Sequence, residues 1–169
     1  MEEFNDYIGS VRDLRYRVTK EGYSSYAVVF RNRLITNSLV HQGLSPRKSG
    51  NEKLPKFNWI DNPDFFRGLV DGDGAISIST SKSSSIELHN SLEIVTGFID
   101  FVNKHVVHSK NKTPTLISTF ENGSLYSVGF YGKTAVEILK ILYYKDCLAI
   151  KRKIESAELA INNKTRTKG

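Results

Sequence analysis

The chain has 169 residues, of which 39% are hydrophobic and 25% charged, which is ordinary for a soluble globular protein and sufficient for one compact core. No apolar run approaches the roughly 18 residues of a membrane span, and Met1-Glu2-Glu3 is too acidic to open a signal peptide. We therefore expect an intracellular protein, in the cytoplasm or an organelle matrix. The single cysteine, Cys147, excludes an internal disulfide and lacks the partners of a zinc site. The net charge of +6 favours a polyanionic partner, although many basic proteins bind none in particular.

The N-terminal segment, residues 1–49, predicts a helix end, a strand pair and a helix. In chain order these elements are Phe4–Ile8, Leu14–Thr19, Ser24–Arg31 and Leu34–Leu39. Arg15 and Arg17 alternate with apolar residues, so they share one face of the first strand. The helix is expected to end at Gly43. Residues 50–61 form a linker to a helix that begins at about Pro63, because proline suits the first helical position.

The rest of the chain alternates hairpins and helices and predicts an α+β fold. After the helix at Pro63 the predicted elements are Ala75–Thr80, Ile86–Asn90, Leu92–His105, Thr115–Phe120, Leu125–Tyr131, Thr134–Leu142 and Asp146–Ile161. Residues 162–169 are polar and are expected to fray.

An internal repeat links the two parts of the sequence. Tyr26-Ala27-Val28-Val29-Phe30 matches Tyr126-Ser127-Val128-Gly129-Phe130, and the helices that follow keep the same offset, which places Leu39 under Leu139. The first copy lacks the helix and hairpin that begin the second. The chain therefore amounts to about one and a half copies.

The most informative stretch is Phe65–Gly74, an apolar helix that ends in Asp71-Gly72-Asp73-Gly74 and continues into a strand. Gly72 and Gly74 are expected to take positive φ and end the helix sharply. Gly68 has no Cβ, so another helix could approach this face closely. In isolation, Asp-Gly-Asp-Gly is more typical of a solvated turn than of a site. A calcium loop is disfavoured, because Lys82 occupies the position where an EF-hand requires glutamate.

This stretch resembles the motif of the LAGLIDADG homing endonucleases, with Arg67 where that family usually has a small residue. Three other segments resemble the same family: Asn62–Gly68, Leu148–Lys153 and Gly43–Ser49. The resemblance implies an αββαββα repeat whose curved antiparallel sheet forms a saddle for DNA. Residues 62–161 would be one complete repeat, and residues 1–49 a partial first repeat without its motif helix.

The resemblance also implies roles for individual residues. Asp73 would be a catalytic metal ligand for Mg²⁺ or Mn²⁺, with the carbonyl oxygen of Gly72, and Lys151 a catalytic cation near the scissile phosphate. Lys151 is equally well explained as part of a solvated helix face. Asp71 would orient the helix junction. The predicted helix–helix interface is made of Phe66, Gly68, Leu69 and Asp71.

Contacts with DNA are expected from the hairpins, since a two-stranded ribbon fits the major groove and offers alternating side chains. The candidates are Arg15, Arg17, Ser77, Ser79, Ser81, Lys82, Ser83, Glu87, Thr115, Ser118, Thr119 and Lys153. The same polar alternation is also typical of any solvated sheet face.

The resemblance predicts a site-specific DNA endonuclease of the homing type, which hydrolyses duplex DNA with Mg²⁺. Because the sequence holds one motif, cleavage of both strands would need a second motif-bearing chain, either a copy of this one or a separately encoded half. The alternative is a catalytically inactive nucleic-acid-binding protein. Such a protein would be an RNA-splicing maturase that binds intron RNA, or the DNA-binding remnant of an endonuclease.

Overall fold

The computed structural model describes residues 15–27, 32–44, 50–79, 83–107, 112–121 and 123–162. The chain divides into two compact units, Met1–Ser38 and Leu39–Gly169. The predicted helix end Phe4–Ile8, the candidate residues Ser81 and Lys82, and the tail from residue 163 lie outside the described residues.

The first unit contains an antiparallel hairpin of β1 (Arg15–Val18) and β2 (Ser24–Ala27). Its turn is closed by the peptide N–H of Thr19, which donates to Tyr23 O at 2.8 Å. Gly22 has a φ of 85°, a left-handed conformation that glycine adopts without strain. Helix α1 (Arg33–His41) follows, and this order of hairpin and helix is the one predicted from the sequence.

The second unit is built on one antiparallel sheet of four strands in the order β3-β4-β6-β5. The strands are β3 (Gly74–Ile78), β4 (Ser84–Asn90), β5 (Thr115–Phe120) and β6 (Gly123–Tyr131). The helices are α2 (Pro63–Asp73), α3 (Leu92–His105), α4 (Gly132–Leu142) and α5 (Lys151–Asn162). With α1, five helices lie in the described ranges, and the predicted α+β class is confirmed.

The core lies between these helices and one face of the sheet, here called the inner face. Ile86 and Leu88 of β4 and Val128 and Phe130 of β6 alternate along this face and are buried. A cluster of phenylalanine rings covers them, with Phe66 from α2 and Phe98 and Phe101 from α3. Burying a side chain of this size stabilises the fold by about 1.5 to 3 kcal/mol. The opposite, outer face of the sheet carries the alternating polar residues.

The junction between α2 and β3 differs from the prediction. The helix runs through Asp71-Gly72-Asp73, and Gly74 begins β3 with a φ of −102°, so neither Gly72 nor Gly74 has a positive φ. Gly74 is required for space instead. A Cβ there would lie 2.8 Å from the Cα and O of Val70 and from Glu87 O, all backbone atoms.

The last helix begins at Lys151, five residues later than predicted. The helix cannot begin at Asp146, because this residue has a φ of 63°, a left-handed conformation. The start of α2 agrees with the sequence: Pro63 occupies the first turn, and Asn62 Oδ1 caps the helix by accepting from Phe65 N at 3.0 Å. Within the described ranges, no helix combines the length and apolar character needed to cross a membrane.

Candidate functional site

Asp73 is the last residue of α2 and is exposed. A carboxylate at this end of a helix faces the negative end of the helix dipole, so it gains from a nearby donor or cation. Asn90, buried at the end of β4, supplies one donor, with Nδ2 at 3.0 Å from Asp73 Oδ2. The other end of the same amide accepts from Ser91 N at 2.9 Å, which fixes its orientation. Asp73 is therefore held at the helix end by a buried partner that sequence reasoning missed.

The oxygens at this helix end suit a hard divalent cation in part. Asp73 offers a carboxylate, and Gly72 lies in the last turn of α2, where carbonyl groups lack intrahelical donors. Together they would supply two of the roughly six oxygen ligands that Mg²⁺ takes. Among the described residues, no group of three or more His, Cys, Asp or Glu could hold a metal. The remaining ligands would have to come from water, phosphate or another chain.

Asp71 lies on the opposite side of the helix end and points into the protein. Its Oδ1 accepts from the hydroxyl of Tyr143 at 2.7 Å, and its Oδ2 accepts from Ile150 N at 2.9 Å, just before α5 begins. Burial, then the hydrogen bond and the charge of Asp71, raise the pKa of Tyr143 well above its ordinary value. The expectation that Asp71 orients the helix junction agrees with these contacts.

Arg67, the residue that departs from the motif, is buried one turn before Asp71. Its guanidinium donates to Leu148 O at 3.0 Å, to Leu142 O at 3.2 Å and to Asp64 Oδ1 at 2.6 Å. The hydroxyl of Tyr144 also donates to Asp64, at 2.8 Å. Partial burial opposes ionisation of Asp64, but the hydrogen bonds from Tyr144 and Arg67 outweigh it, so the pKa of Asp64 is lowered. These contacts fasten residues 142–150 to α2. We call the set Asp64, Arg67, Asp71, Tyr143 and Tyr144 the α2 latch.

The two candidate lysines of α5 have different environments. Lys151 is exposed at the first position of the helix. Lys153 is only 4% exposed, and its Nζ donates to Gly74 O at the junction of α2 and β3. Burial and the neighbouring charge of Arg152 lower the pKa of Lys153. Lys153 was predicted to contact DNA, and this prediction is wrong, because its ammonium group is buried and braces the junction.

The exposed face of α2 also differs from the predicted interface. Phe66 is 0% exposed and Asp71 points inward, so both belong to the interior of this chain. Gly68 and Gly72 are exposed, and a Cβ at either would meet nothing within 4 Å. Leu69 is half-buried beside them. The open face of the helix is therefore centred on Gly68, Leu69 and Gly72.

The outer face of the sheet holds most of the hairpin candidates. Ser77 is exposed and its Oγ lies 2.7 Å from Ser85 Oγ, while Ser79 Oγ accepts from Ser83 N at 3.0 Å and closes the hairpin turn. Thr115 and Ser118 share this face with Glu87. Thr119 does not, because a bulge between Leu116 and Ser118 shifts the alternation by one residue. In the first unit, Arg15 and Arg17 are exposed on β1.

The centre of the outer face carries residues that sequence reasoning missed. Gly129 lies opposite Glu87 in the ladder, and the hydroxyl of Tyr131 donates to Glu87 Oε1 at 3.3 Å. Lys112 Nζ lies 5.6 Å from the centre of the Tyr131 ring, and His89 Nε2 lies 3.7 Å from Glu87 Oε2. The negative charge of Glu87 raises the pKa of Tyr131. The two-residue period of β6 is the sequence signal that could have identified Tyr131 and Gly129 as residues of one strand face.

No family model matches the chain, and searches of curated proteins and of solved structures found no significant match. Two features of the described residues bear on function. One is the exposed carboxylate of Asp73 at a helix end, with Lys151 at the start of α5. The other is an open sheet face with hydroxyl, carboxylate and amine groups, which are the groups that contact bases and phosphates.

Proposed function

We propose that this chain is one half of a LAGLIDADG-type DNA endonuclease, with the corresponding αββαββα fold in residues 62–161. The outer face of the sheet would bind duplex DNA, and α2 would bring Asp73 to the phosphodiester that is hydrolysed. One observation carries the proposal: α2 ends in an exposed acid and passes without a loop into β3, the first strand of a sheet whose outer face is polar.

Each residue near the helix end would have a defined task. Asp73 presents a charged carboxylate that Asn90 keeps in one orientation. When bound beside it, Mg²⁺ or Mn²⁺ would lower the pKa of a water molecule and neutralise charge on the phosphate. Lys151 would place a second positive charge near the developing oxyanion. Asp71 holds Ile150 N at 2.9 Å and so fixes the position from which Lys151 projects.

A second chain is needed in this proposal, because one acid serves one strand. Gly68 and Gly72 lie four residues apart on the open face of α2, where a second helix could approach closely. The partner would be another copy or a separately encoded half. Gly72→Ala tests this: alanine favours the helix by about 0.5 to 1 kcal/mol, so the monomer should become slightly more stable while self-association weakens. A wild type that dimerises in light scattering and a Gly72→Ala variant that dimerises equally well would contradict the shared helix interface.

The alternative is a nucleic-acid-binding protein without cleavage activity, either a splicing maturase for intron RNA or a DNA-binding remnant. The observation that favours it is the hairpin of β1 and β2, where Arg15 and Arg17 are exposed in a unit outside the motif segment. Such a hairpin would add binding energy through phosphate contacts whether or not Asp73 takes part in hydrolysis.

The test is cleavage of a randomised plasmid library with Mg²⁺, comparing the wild type with Asp73→Asn. We expect linear product from the wild type and a loss of about a thousandfold or more in the variant, with DNA binding retained, as for loss of a catalytic metal ligand. Asp100→Asn is the matched control, because Asp100 is an exposed acid on α3. Tight, salt-dependent binding without cutting would select the alternative, and weak binding without salt dependence would contradict both.

A further inference from the structure

The outer face of the sheet contains a depression of about 330 Å³. A flat surface that binds duplex DNA does not need such a depression. Its lining includes Glu87, Lys112, Thr115, Ser127, Gly129 and Tyr131. These residues come from β4, β5, β6 and the segment before β5, so the fold brings together groups that are distant in the sequence. Binding of a ligand in this depression requires the outer face alone and does not require DNA cleavage.

Gly129 shapes the depression. A Cβ at this position would lie 2.6 Å from the hydroxyl oxygen of Tyr131 and 3.0 Å from its Cζ. Only glycine therefore lets the phenol ring lie across the strand and reach Glu87. Tyr131 remains 56% exposed, so a planar aromatic surface is displayed on the sheet beside a carboxylate.

Four kinds of group in this depression match the base, the phosphate and the sugar of an unpaired nucleotide. The Tyr131 ring offers a surface on which a base can stack. Glu87 offers two carboxylate oxygens, which together accept about four hydrogen bonds, and one hydrogen bond from Tyr131 leaves room for a base. Lys112 Nζ lies over the Tyr131 ring, 5.6 Å from its centre, so a stacked base would take its place and move this cation to the phosphate. Thr115 and Ser127 offer hydroxyls for the sugar.

The carboxylate selects among bases because it can only accept. Guanine has two donors side by side, N1–H and the N2 amino group, and both can donate to one carboxylate. Adenine and cytosine place an acceptor nitrogen next to their amino group, and uracil flanks its single donor with two carbonyl groups. In a duplex the N1–H of guanine is used in the base pair. We propose that the depression around Glu87 and Tyr131 binds one unpaired guanine nucleotide, stacked on Tyr131 and held by Glu87.

The experiment measures fluorescence anisotropy with uridine octamers that carry one central guanosine, inosine or adenosine. Inosine lacks only the N2 amino group, so guanosine should bind about tenfold more tightly, the discrimination of one bidentate pair. Glu87→Gln should reduce the ratio of guanosine to inosine affinity to about one. Tyr131→Leu should lower the binding affinity for all octamers by about tenfold. Lys112→Ala should also lower the binding affinity for all octamers, and the slope of log affinity against log salt concentration should become less steep by about 0.7.

Matched controls and a duplex decide the interpretation. Glu158→Gln and Lys140→Ala change exposed residues on α5 and α4 and should leave every affinity unchanged. Circular dichroism establishes that each variant is folded. Ribose and deoxyribose octamers distinguish RNA from DNA, and a guanine preference in either supports the site. Equal affinity for guanosine and inosine in the wild type overturns the proposal. So does a duplex that binds more tightly than the octamer and loses the same affinity in Glu87→Gln.

Discussion

Two acid–tyrosine pairs on opposite sides of the sheet show how burial decides what the same chemical groups do. In the α2 latch, the hydroxyl of Tyr143 donates to buried Asp71 at 2.7 Å. On the outer face, the hydroxyl of Tyr131 donates to Glu87 at 3.3 Å, and Tyr131 is 56% exposed. The first pair is part of the interior and fixes a chain segment. The second is accessible to a ligand.

The physical causes of the two tyrosine pKa shifts make the same distinction. Both pKa values are raised, but burial is the main cause for Tyr143 and the charge of Glu87 is the main cause for Tyr131. Removing one partner of a buried hydrogen bond leaves a polar group without water, which costs about 1 to 3 kcal/mol, whereas an exposed partner is resolvated. Substitutions in the latch should therefore lower stability, and substitutions on the outer face should lower binding.

The largest effect is expected from Arg67→Ala. The substitution removes a buried side chain that donates to Leu142 O, Leu148 O and Asp64, and it leaves two carbonyl groups of the 142–150 segment without these donors. We expect the free energy of unfolding to fall by about 3 kcal/mol, measured by urea denaturation monitored by circular dichroism. Lys140→Ala, which removes an exposed cation from α4, should change it by less than about 0.5 kcal/mol. Equal effects of the two substitutions would mean that the latch does not stabilise the fold.

A smaller effect on the free energy of unfolding distinguishes Tyr143 from Tyr131. Tyr143→Phe should lower the free energy of unfolding by about 1 to 2 kcal/mol at neutral pH, because Asp71 loses a buried donor. Tyr131→Phe should change it by less than about 0.5 kcal/mol, because water replaces the lost donor at Glu87. A similar loss in both variants would contradict the distinction between the two pairs.

The pH dependence sharpens the same test. The pKa of Tyr143 is raised in the folded state, so below the unfolded value of about 10 its contribution to stability is fully present. Above about pH 10 the unfolded chain releases the phenol proton first, and this contribution is lost as the pH rises. Tyr143→Phe should therefore flatten the alkaline fall in stability. Burial also raises the pKa of the Cys147 thiol, so both proteins are compared in a Cys147→Ala background.

The sequence predicted the elements well because local patterns determine them. The strand segments of β4 and β6 and the helix start at Pro63 depend on neighbouring residues, and the structure agrees with these predictions. The start of α5 was predicted too early, since the non-helical segment before it is held by contacts with Arg67 and Asp71, more than 70 residues away in the chain. No local pattern contains that information.

The candidate site was predictable in part for the same reason. Asp73 is adjacent to its glycine neighbours in the sequence, so its exposed position at a helix end could be expected. Its partner Asn90 and the buried contact of Lys153 depend on strand pairing and helix packing. The resemblance placed Phe66 at a helix interface, yet Phe66 packs against the aromatic residues of α3 in the core. A large apolar residue in the sequence predicts that its side chain is buried in a contact. The sequence does not show which element it packs against.

The last prediction concerns Gly129→Ala, for which we expect a small effect on stability and a larger one on binding. The added Cβ would overlap the hydroxyl end of Tyr131, which is flexible, so the ring can swing away and the free energy of unfolding should change by less than about 1 kcal/mol. The pKa of Tyr131 should then return toward its ordinary value, because the phenol leaves Glu87, and ultraviolet titration of the phenols measures this change. Binding of the guanosine octamer should fall to the level of Tyr131→Leu. Gly68→Ala, whose Cβ meets open space, is the matched control and should leave octamer binding unchanged. A stability loss as large as that of Arg67→Ala would mean that the outer face, like the latch, serves the fold.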